Sequence, residues 1–560
     1  MNALLIYPQW PDTYWSFKYA LRFEGKRSLF PPLGLLTISA LLPKHWKKRL
    51  VDTNVRRLTN ADLQWADVAM LSGMLVHKKD LLAILARCRS RGLPTVIGGP
   101  VTSSVQELPL HADHVVIGEA EDLVAGLAAD LEQGKAKPIY QANELPGLDR
   151  APLPDLDLIN LKYYSAAGIQ YSRGCPFNCE FCDIIEIYGR IPRTKSPAQM
   201  VAELEQLYEH KWRGSVFIVD DNFIGNKKKV KELLPVVTEW NRCHRWPFTF
   251  YTEASVNLAD DTELLQMMKE AGFIRVFLGI ETPVEASLKE TQKFQNTHRS
   301  LLDSVCRIQH SGMEVMAGFI VGFDNDPDTV FDEQVKFIQE SGIALAMVGL
   351  LEALPGTQLY RRLQKEGRIL GEGHGNNMNC QLNFVPKMSP EKLAEGYLSI
   401  LQRIYHPDAY YERVQRFLSE YHPAHHVPRT SSDYLALARS ILKQGVLGDA
   451  RASYWKFLFE AATRNRHAFG TAVRLAIMCY HFQMLTRDVC QTNERLLLAD
   501  HDGKNGLVQK DVGDDERYSK REHRALRQIT NLSLEDKSSQ VPTGSHHRDN
   551  VRRQGASSGA

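Results

Sequence analysis

Along the first 137 residues, short apolar runs alternate with longer stretches whose apolar positions recur at helical spacing. Runs at 3–7, 50–52, 67–71, 95–99 and 114–118 have the length and β-branched content of buried strands, and helix-like patterns occupy 31–42, 78–91 and 121–133. Strands alternating with helices predict an α/β domain built on a doubly wound parallel sheet, spanning residues 1–137. Ligands of such sheets lie at the carboxyl ends of the strands. Here those ends carry Asp52, Ser72, Gly98, Gly99, Pro100, Gly118 and Glu119, with Asn54 just beyond the second run. The glycines equally serve tight strand-to-helix turns, so the pattern alone leaves both readings open.

Pro138, Pro146, Pro152 and Pro154 break all periodicity after residue 137, and 138–167 reads as a linker. A second alternating region follows over 168–389, with strand-like runs at 168–172, 215–220, 247–251, 275–280, 315–321 and 344–351, each followed by a helical pattern. Six such units predict a partial (β/α)6 barrel with its active-site groups on the loops after the strands. Residues 390–501 read as a helical C-terminal region, with Tyr454, Trp455, Phe457, Leu458, Ala476, Ile477 and Tyr480 at core spacing. The tail, 502–560, is rich in charged and small residues and predicts disorder.

Sixty-eight Lys and Arg against 66 Asp and Glu leave a formal charge of +2, so no global field favours nucleic acid as a partner. The longest apolar stretch, 342–351, is too short to span a bilayer. Lys44, His45, Trp46, Lys47 and Lys48 suggest peripheral contact with a membrane surface, a weak signal by itself. The histidines His422, His425 and His426 cluster in a segment broken by Pro423 and Pro428 and read as a solvated loop, and Lys227, Lys228, Lys229 and Lys231 as a solvated helix face. Cys88, Cys243, Cys306, Cys380, Cys479 and Cys490 stand alone, which excludes a disulfide scaffold. With an N-terminus unlike a signal peptide, this predicts a reducing, cytoplasmic setting.

The remaining cysteines, Cys175, Cys179 and Cys182, form C-x3-C-x2-C directly after a strand. Three thiolates so spaced can hold three irons of a [4Fe–4S] cluster and leave the fourth open. Zinc is the rival, but it wants a fourth ligand that no nearby Cys or His supplies. Later strand ends carry Asp220, Asp221 and Asn222, then Glu253, Glu281, Gly318 and Gly322, and Pro355-Gly356-Thr357 follows the sixth. If the second strand continues through Asp220 and Asp221, the two carboxylates point to opposite faces, which argues against a paired acid/base dyad.

With Phe181 before the third cysteine, the motif resembles that of the radical SAM superfamily. The resemblance implies that Cys175, Cys179 and Cys182 bind the cluster and that its open iron chelates S-adenosyl-L-methionine. One-electron cleavage then yields a 5′-deoxyadenosyl radical. It further implies a cofactor site lined by Phe181, Asp221, Asn222, Glu253, Glu281, Gly318 and Gly322, and an electron donor such as flavodoxin or ferredoxin. No separate catalytic side chain is assigned.

A doubly wound domain ahead of the barrel resembles the cobalamin-binding branch of that superfamily. Asp52, Asn54, Ser72, Gly98, Gly99, Pro100, Gly118 and Glu119 are then the implied cobalamin contacts. The D-x-H-x-x-G sequence that supplies a histidine to cobalt elsewhere is absent. Within the branch the pattern is similar to the methylases of unactivated carbon, hopanoid methylases among them, which implies methyl transfer to a small molecule or lipid. The alternatives are a cobalamin-binding radical enzyme catalysing oxidative cyclisation or rearrangement, and a non-catalytic iron–sulfur sensor or scaffold.

Overall fold

A computed structural model describes residues 1–105, 107–142, 144–423 and 431–501. The 502–560 tail and both His425 and His426 lie outside the described residues.

Six parallel strands make the first sheet: β1 (Asn2–Tyr7), β2 (Lys47–Asp52), β3 (Val68–Ser72), β4 (Thr95–Gly98), β5 (His114–Ile117) and β6 (Ile139–Gln141). Their order is β2-β1-β3-β4-β5-β6. The last strand falls in the proline-interrupted stretch and pairs with β5 through Val115–Ile139 and Val116–Tyr140. Periodicity could not reveal it, because three residues are too few to show alternation. The order reverses between β1 and β3, and this switch point opens a crevice at their carboxyl ends. The sheet is buried on both faces. Leu4, Ile6 and Leu71 pack against Leu81, Ile84 and Leu85 on one side, and Ala3, Leu5 and Met70 join Leu35, Leu36 and the core of the second sheet on the other.

The second sheet begins at β7 (Ala167–Ile169). A short antiparallel hairpin, β8 (Ser172–Arg173) with β9 (Arg193–Thr194), follows, and then β10 (Gly214–Ile218), β11 (Phe248–Ala254), β12 (Phe273–Glu281), β13 (Glu314–Val321) and β14 (Leu345–Leu350). The order is β14-β13-β12-β11-β10-β7, all parallel: six βα units in an open sheet, as the sequence pattern predicts.

Every residue of β14 is buried, although it lies at a sheet edge, where unpaired backbone groups would invite further pairing. Its carbonyls explain how. Ala346 O accepts from the Tyr405 hydroxyl at 2.5 Å and Val348 O from the Tyr14 hydroxyl at 3.0 Å. The helices Pro390–Ile404, Pro407–Glu420, Ser431–Ser440, Arg451–Arg464 and Phe469–His501 make the C-terminal region, and Phe482 of the last stacks on Tyr405 at 4.7 Å. No helix among the described residues is long and apolar enough to cross a membrane.

Candidate active site

The three thiols stand on a loop held from every side. β7 ends at Ile169, and the chain turns into β8 because the buried Asp220 carboxylate, at the end of β10, accepts from Tyr171 N at 2.7 Å, Ser172 N at 2.8 Å and Ser172 Oγ at 2.6 Å. Asp220 is thereby a structural staple, while its neighbour Asp221 lines a cavity. Gly174 follows at φ +95°, where a Cβ would come within 2.9 Å of Gly189 O, so only glycine lets the chain turn this tightly against Tyr188-Gly189. Cys175 N then donates to Gly189 O at 3.2 Å.

Beyond it, Asn178 Nδ2 donates to Gln292 at 2.7 Å and Gln358 Nε2 to Asn178 at 3.0 Å. Glu180 N reaches Thr291 O at 2.9 Å, and the Glu180 carboxylate pairs with Arg362 at 2.6 Å. Two thiols receive amide donors, Cys175 Sγ from Asn222 at 3.7 Å and Cys179 Sγ from Gln295 at 3.4 Å.

All nine cysteines are free. Three soft thiols on one preformed loop suit iron–sulfur ligation, in which each takes its own iron and the sulfurs need not meet at a point. Among the described residues no group of His, Cys, Asp or Glu converges on a single ion, so a closed four-ligand zinc site is not built. Burial pushes the Cys175 and Cys182 thiols up from their ordinary range, so loading the site with metal releases protons.

A cavity of about 570 Å³ opens beside this loop. One wall is the cluster side, with Phe181, Asp183, Ile184 and Tyr188; another is the carboxyl end of the second sheet, with Asp221, Phe277, Glu281, Gly318 and Met347. The third comes from the first sheet: Met74, Leu75 and Val76 after β3, and Pro100 after β4. Trp10, Thr13, Tyr14 and Trp15, on the strap leaving β1, complete it. Both sheets therefore present their strand ends to one space.

The carboxylates that line the cavity are Asp183, Asp221, Glu281 and Glu352, and Glu253 is electrostatically coupled to Asp221 and Glu281. Burial, reinforced by Asp220 and Asp183, raises Asp221 to about 7, and burial, reinforced by Asp221 and Glu281, raises Glu253 to about 8. Glu281 ends β12 in left-handed backbone at φ +63° and pairs with Lys293 at 2.6 Å. Lys293 Nζ in turn lies 5.8 Å from the Phe181 ring centroid. Carboxyl groups packed this closely stay partly protonated without a cation, and a cationic ligand draws the charged form out. Affinity for S-adenosylmethionine, whose sulfonium is cationic, is therefore expected to strengthen as pH rises through about 7 to about 8. Calorimetry across that range checks it, and a flat profile shared with Glu253→Gln would sink the assignment.

The remaining expected contacts distribute unevenly. Asn222 is buried and its Oδ1 accepts from Ser255 N at 3.2 Å. Gly322 lies beyond the cavity wall in a turn whose N–H donates to Asp326 at 2.8 Å. On the first sheet, Asp52 accepts from Asn54 N at 2.9 Å and from the Tyr164 hydroxyl at 3.0 Å. Asn54 accepts from Trp10 N at 2.8 Å and donates to Pro8 O at 3.1 Å, which holds the aromatic strap. Ser72 ends β3 and Gly98 ends β4, with Gly99 at φ +83°, where a Cβ would overlap Ser72 Oγ.

Gly118, at φ +86°, turns the chain after β5 into Glu119. Glu119 is buried between two arginines of the cluster hairpin: Arg173 at 2.5 Å and Arg193, which it meets with both oxygens. Arg173 also pairs with Glu121 at 2.7 Å. Sequence reasoning did not single out Lys293, Arg173 or the strap. The density of rings in Trp10-Pro-Asp-Thr-Tyr-Trp15 was a visible signal, whereas a lone Lys or Arg carries none.

The Lys-rich segments behave as surface features. Lys231 pairs with Asp261 at 3.0 Å and Glu263 at 2.6 Å, and the exposed His422 stacks on His467 at 4.9 Å. Trp46, in the segment suggested for membrane contact, is 3% exposed and its indole donates to Glu132 at 2.6 Å. Lys48 pairs with Asp155 at 2.8 Å, while Lys44, His45 and Lys47 are exposed.

An open sheet of six parallel βα units with a three-cysteine loop after its first strand, behind a doubly wound sheet, defines a radical SAM architecture. Residues 169–338 match the radical SAM superfamily, and residues 357–495 match a domain of unknown function, DUF4070. The chain is 43% identical to an uncharacterised methyltransferase of Synechocystis sp. over 490 residues, covering 86% of this chain and 91% of the relative. It is 34% identical to the hopanoid C-2 methylase of Rhodopseudomonas palustris over 480 residues, covering 83% and 90%. The protein belongs to this family of radical SAM methyltransferases.

Family membership brings a [4Fe–4S] cluster and S-adenosylmethionine as cofactors, and the donor set described above suits them. In fold the chain is similar to the cobalamin-dependent radical enzyme OxsB with aqua-cobalamin and S-adenosylmethionine bound, at TM-score 0.56 and 15% identity over 95% of this chain and 83% of that one. It is likewise similar to the methyltransferase TsrM of Kitasatospora setae with cobalamin and [4Fe–4S] cluster bound, at TM-score 0.55 and 14% identity over 88% and 100%.

Proposed function

We propose that the protein methylates an unactivated carbon of a largely apolar small molecule or lipid by radical chemistry, with cobalamin as the methyl carrier. The observation that carries this reading is the cavity between the strand ends of the two sheets, lined mainly by apolar side chains with Asp183, Asp221, Glu281 and Glu352 among them. The cluster and S-adenosylmethionine supply one-electron cleavage of a sulfonium, and cobalamin supplies a carrier for methyl.

The chain's own residues bind, orient and exclude water. Cys175, Cys179 and Cys182 hold the cluster, and Asp221, Glu253 and Glu281 set a negative potential for a cationic cofactor, Lys293 holding the Glu281 side chain. Phe181 supplies a ring face. Met74, Leu75 and Val76 after β3 and Pro100 after β4 offer an apolar floor that would suit a corrin face. Trp10, Tyr14 and Trp15 cover the substrate, Trp15 packing on Phe277 at 5.3 Å. Aromatic and aliphatic walls favour a substrate with a large apolar area. The relatives differ in the substrates they are named for, hopanoid in one and bacteriochlorophyllide in another, so family membership leaves the substrate open. Nine free cysteines suit a reducing cytoplasm and a flavodoxin- or ferredoxin-type donor.

The test is anaerobic turnover of the reconstituted enzyme with cobalamin, S-adenosylmethionine labelled at its methyl group, and an apolar extract of a deletion strain. Labelled methyl in an extracted product, alongside 5′-deoxyadenosine, is the expected result. Deoxyadenosine formed with product but no label would overturn methyl transfer in favour of cyclisation or rearrangement.

A further inference from the structure

The described surface carries one concentration of exposed apolar side chains remote from the cavity. It lies on the helix Ser431–Ser440, the wide π-type turn Ile441–Val446 that extends it, and the helix Arg451–Arg464. Tyr434, Leu442 and Val446 stand eight and then four residues apart along the first two, at 58%, 56% and 54% exposure. Leu447 follows at 67%, and Trp455 and Phe459, again four apart, stand at 45% and 71% on the next helix. The two stripes are joined: the Trp455 indole donates to Gly445 O at 2.9 Å, and its ring fills the space above Gly445. The opposite faces, with Tyr454, Phe457 and Leu458, are buried in the core, so these helices are anchored and their outer apolar stripe is surplus to folding. Monomeric surfaces scatter such residues singly, and a contiguous set marks an interaction site.

Charge selects the partner. Between residues 431 and 466 the basic side chains are Arg439, Lys443, Arg451, Lys456, Arg464 and Arg466, and the acidic ones only Asp433, Asp449 and Glu460, in a chain otherwise almost balanced. All six basic residues are exposed. Two copies of this face would set like charges against each other, whereas anionic lipid headgroups neutralise them. Aliphatic tips, an amphipathic indole and flanking cations together provide the two signals, apolar insertion and basic attraction, that stable peripheral attachment needs.

We propose that the helical segment formed by residues 431–466 docks the protein on an anionic lipid bilayer through Leu442, Val446, Leu447, Trp455 and Phe459. The surface is separate from Lys44–Lys48, and it does not depend on the methyl-transfer reading.

Vesicle flotation of the full-length reconstituted protein tests it, with phosphatidylcholine alone against phosphatidylcholine containing phosphatidylglycerol. The wild type is expected to float with the anionic vesicles and to be released by about 0.5 M salt. The Leu447→Glu/Phe459→Glu and Arg451→Glu/Lys456→Glu variants are expected to bind about tenfold more weakly, with unchanged iron content and thermal midpoint, since each position is exposed. Equal binding of wild type and both variants, or no flotation of the wild type, overturns the proposal. So does sedimentation of the lipid-free wild type as a dimer that Leu447→Glu dissociates, which would assign the face to a second copy. Flotation seen only after residues 502–560 are removed would assign it to the chain's own tail.

Discussion

Cys179→Ala is expected to abolish cluster assembly and to reduce 5′-deoxyadenosine formation to background. The thiol is buried, and Gln295 already donates to it. Alanine removes one sulfur but leaves the loop's other supports in place: Glu180 N on Thr291 O, Glu180 on Arg362, and Asn178 between Gln292 and Gln358. The bare variant is therefore expected to fold with a near-normal thermal midpoint, so that the loss belongs to the missing ligand and not to a collapsed loop. Iron and sulfide per chain after anaerobic reconstitution, with electron paramagnetic resonance of the reduced protein, read the result. Phe181→Leu makes the contrast. It keeps all three thiols and is expected to retain the cluster while weakening S-adenosylmethionine binding by up to about tenfold, the scale of one aromatic contact. A Cys179→Ala protein with wild-type iron and cleavage would refute the ligand assignment.

The second large effect is expected at Glu119. Its carboxylate, 3% exposed, sits between Arg173 and Arg193, whose side chains are 12% and 16% exposed. Glu119→Ala leaves Arg193 without its carboxylate and Arg173 dependent on Glu121 alone. Removing one member of a buried charged network costs about 3–5 kcal/mol, because the remaining charges stay desolvated. The damage falls on the cluster, since Arg173 and Gly174 lead directly into Cys175. Cobalamin-free Glu119→Ala is therefore expected to lose several degrees of thermal stability and to retain iron poorly, and both are measurable without turnover. Normal iron and stability in the absence of cobalamin, with loss of cobalamin affinity alone, would show instead that Glu119 is a direct cofactor contact.

Glu119 also illustrates what the chain's pattern could and could not convey. Its position after the β5 run marks it as a strand-end group, and so it is. Its partners are Arg173 and Arg193, on a hairpin whose two-residue strands lie below the reach of any periodicity. Asp220 and Asp221 behave in the opposite way. Alternation along an extended chain predicts divergent side chains, and the structure turns Asp220 onto the backbone of Tyr171 and Ser172 while Asp221 lines the cavity. Lys293 gave no sign in the sequence, because its role comes from Glu281 across a 2.6 Å gap and not from any neighbour in the chain.

The sequence by itself determined the three-thiol loop, the two parallel sheets and the helical C-terminal region. Ligand spacing and the periods of strand and helix are local properties, set within a few residues by covalent geometry and by which side chains avoid water. Only the tertiary structure decided which strand ends share a space and which charges pair. It set the Tyr14 hydroxyl on Val348 O, 334 positions away, so that a strap from the first sheet covers the mouth of the second. It gathered Asp221 from the loop after β10, Glu253 from β11 and Glu281 from the end of β12, and burial raised the first two. Electrostatic and packing energies depend on separation through space and on exclusion of water, and neither quantity exists until the chain has folded.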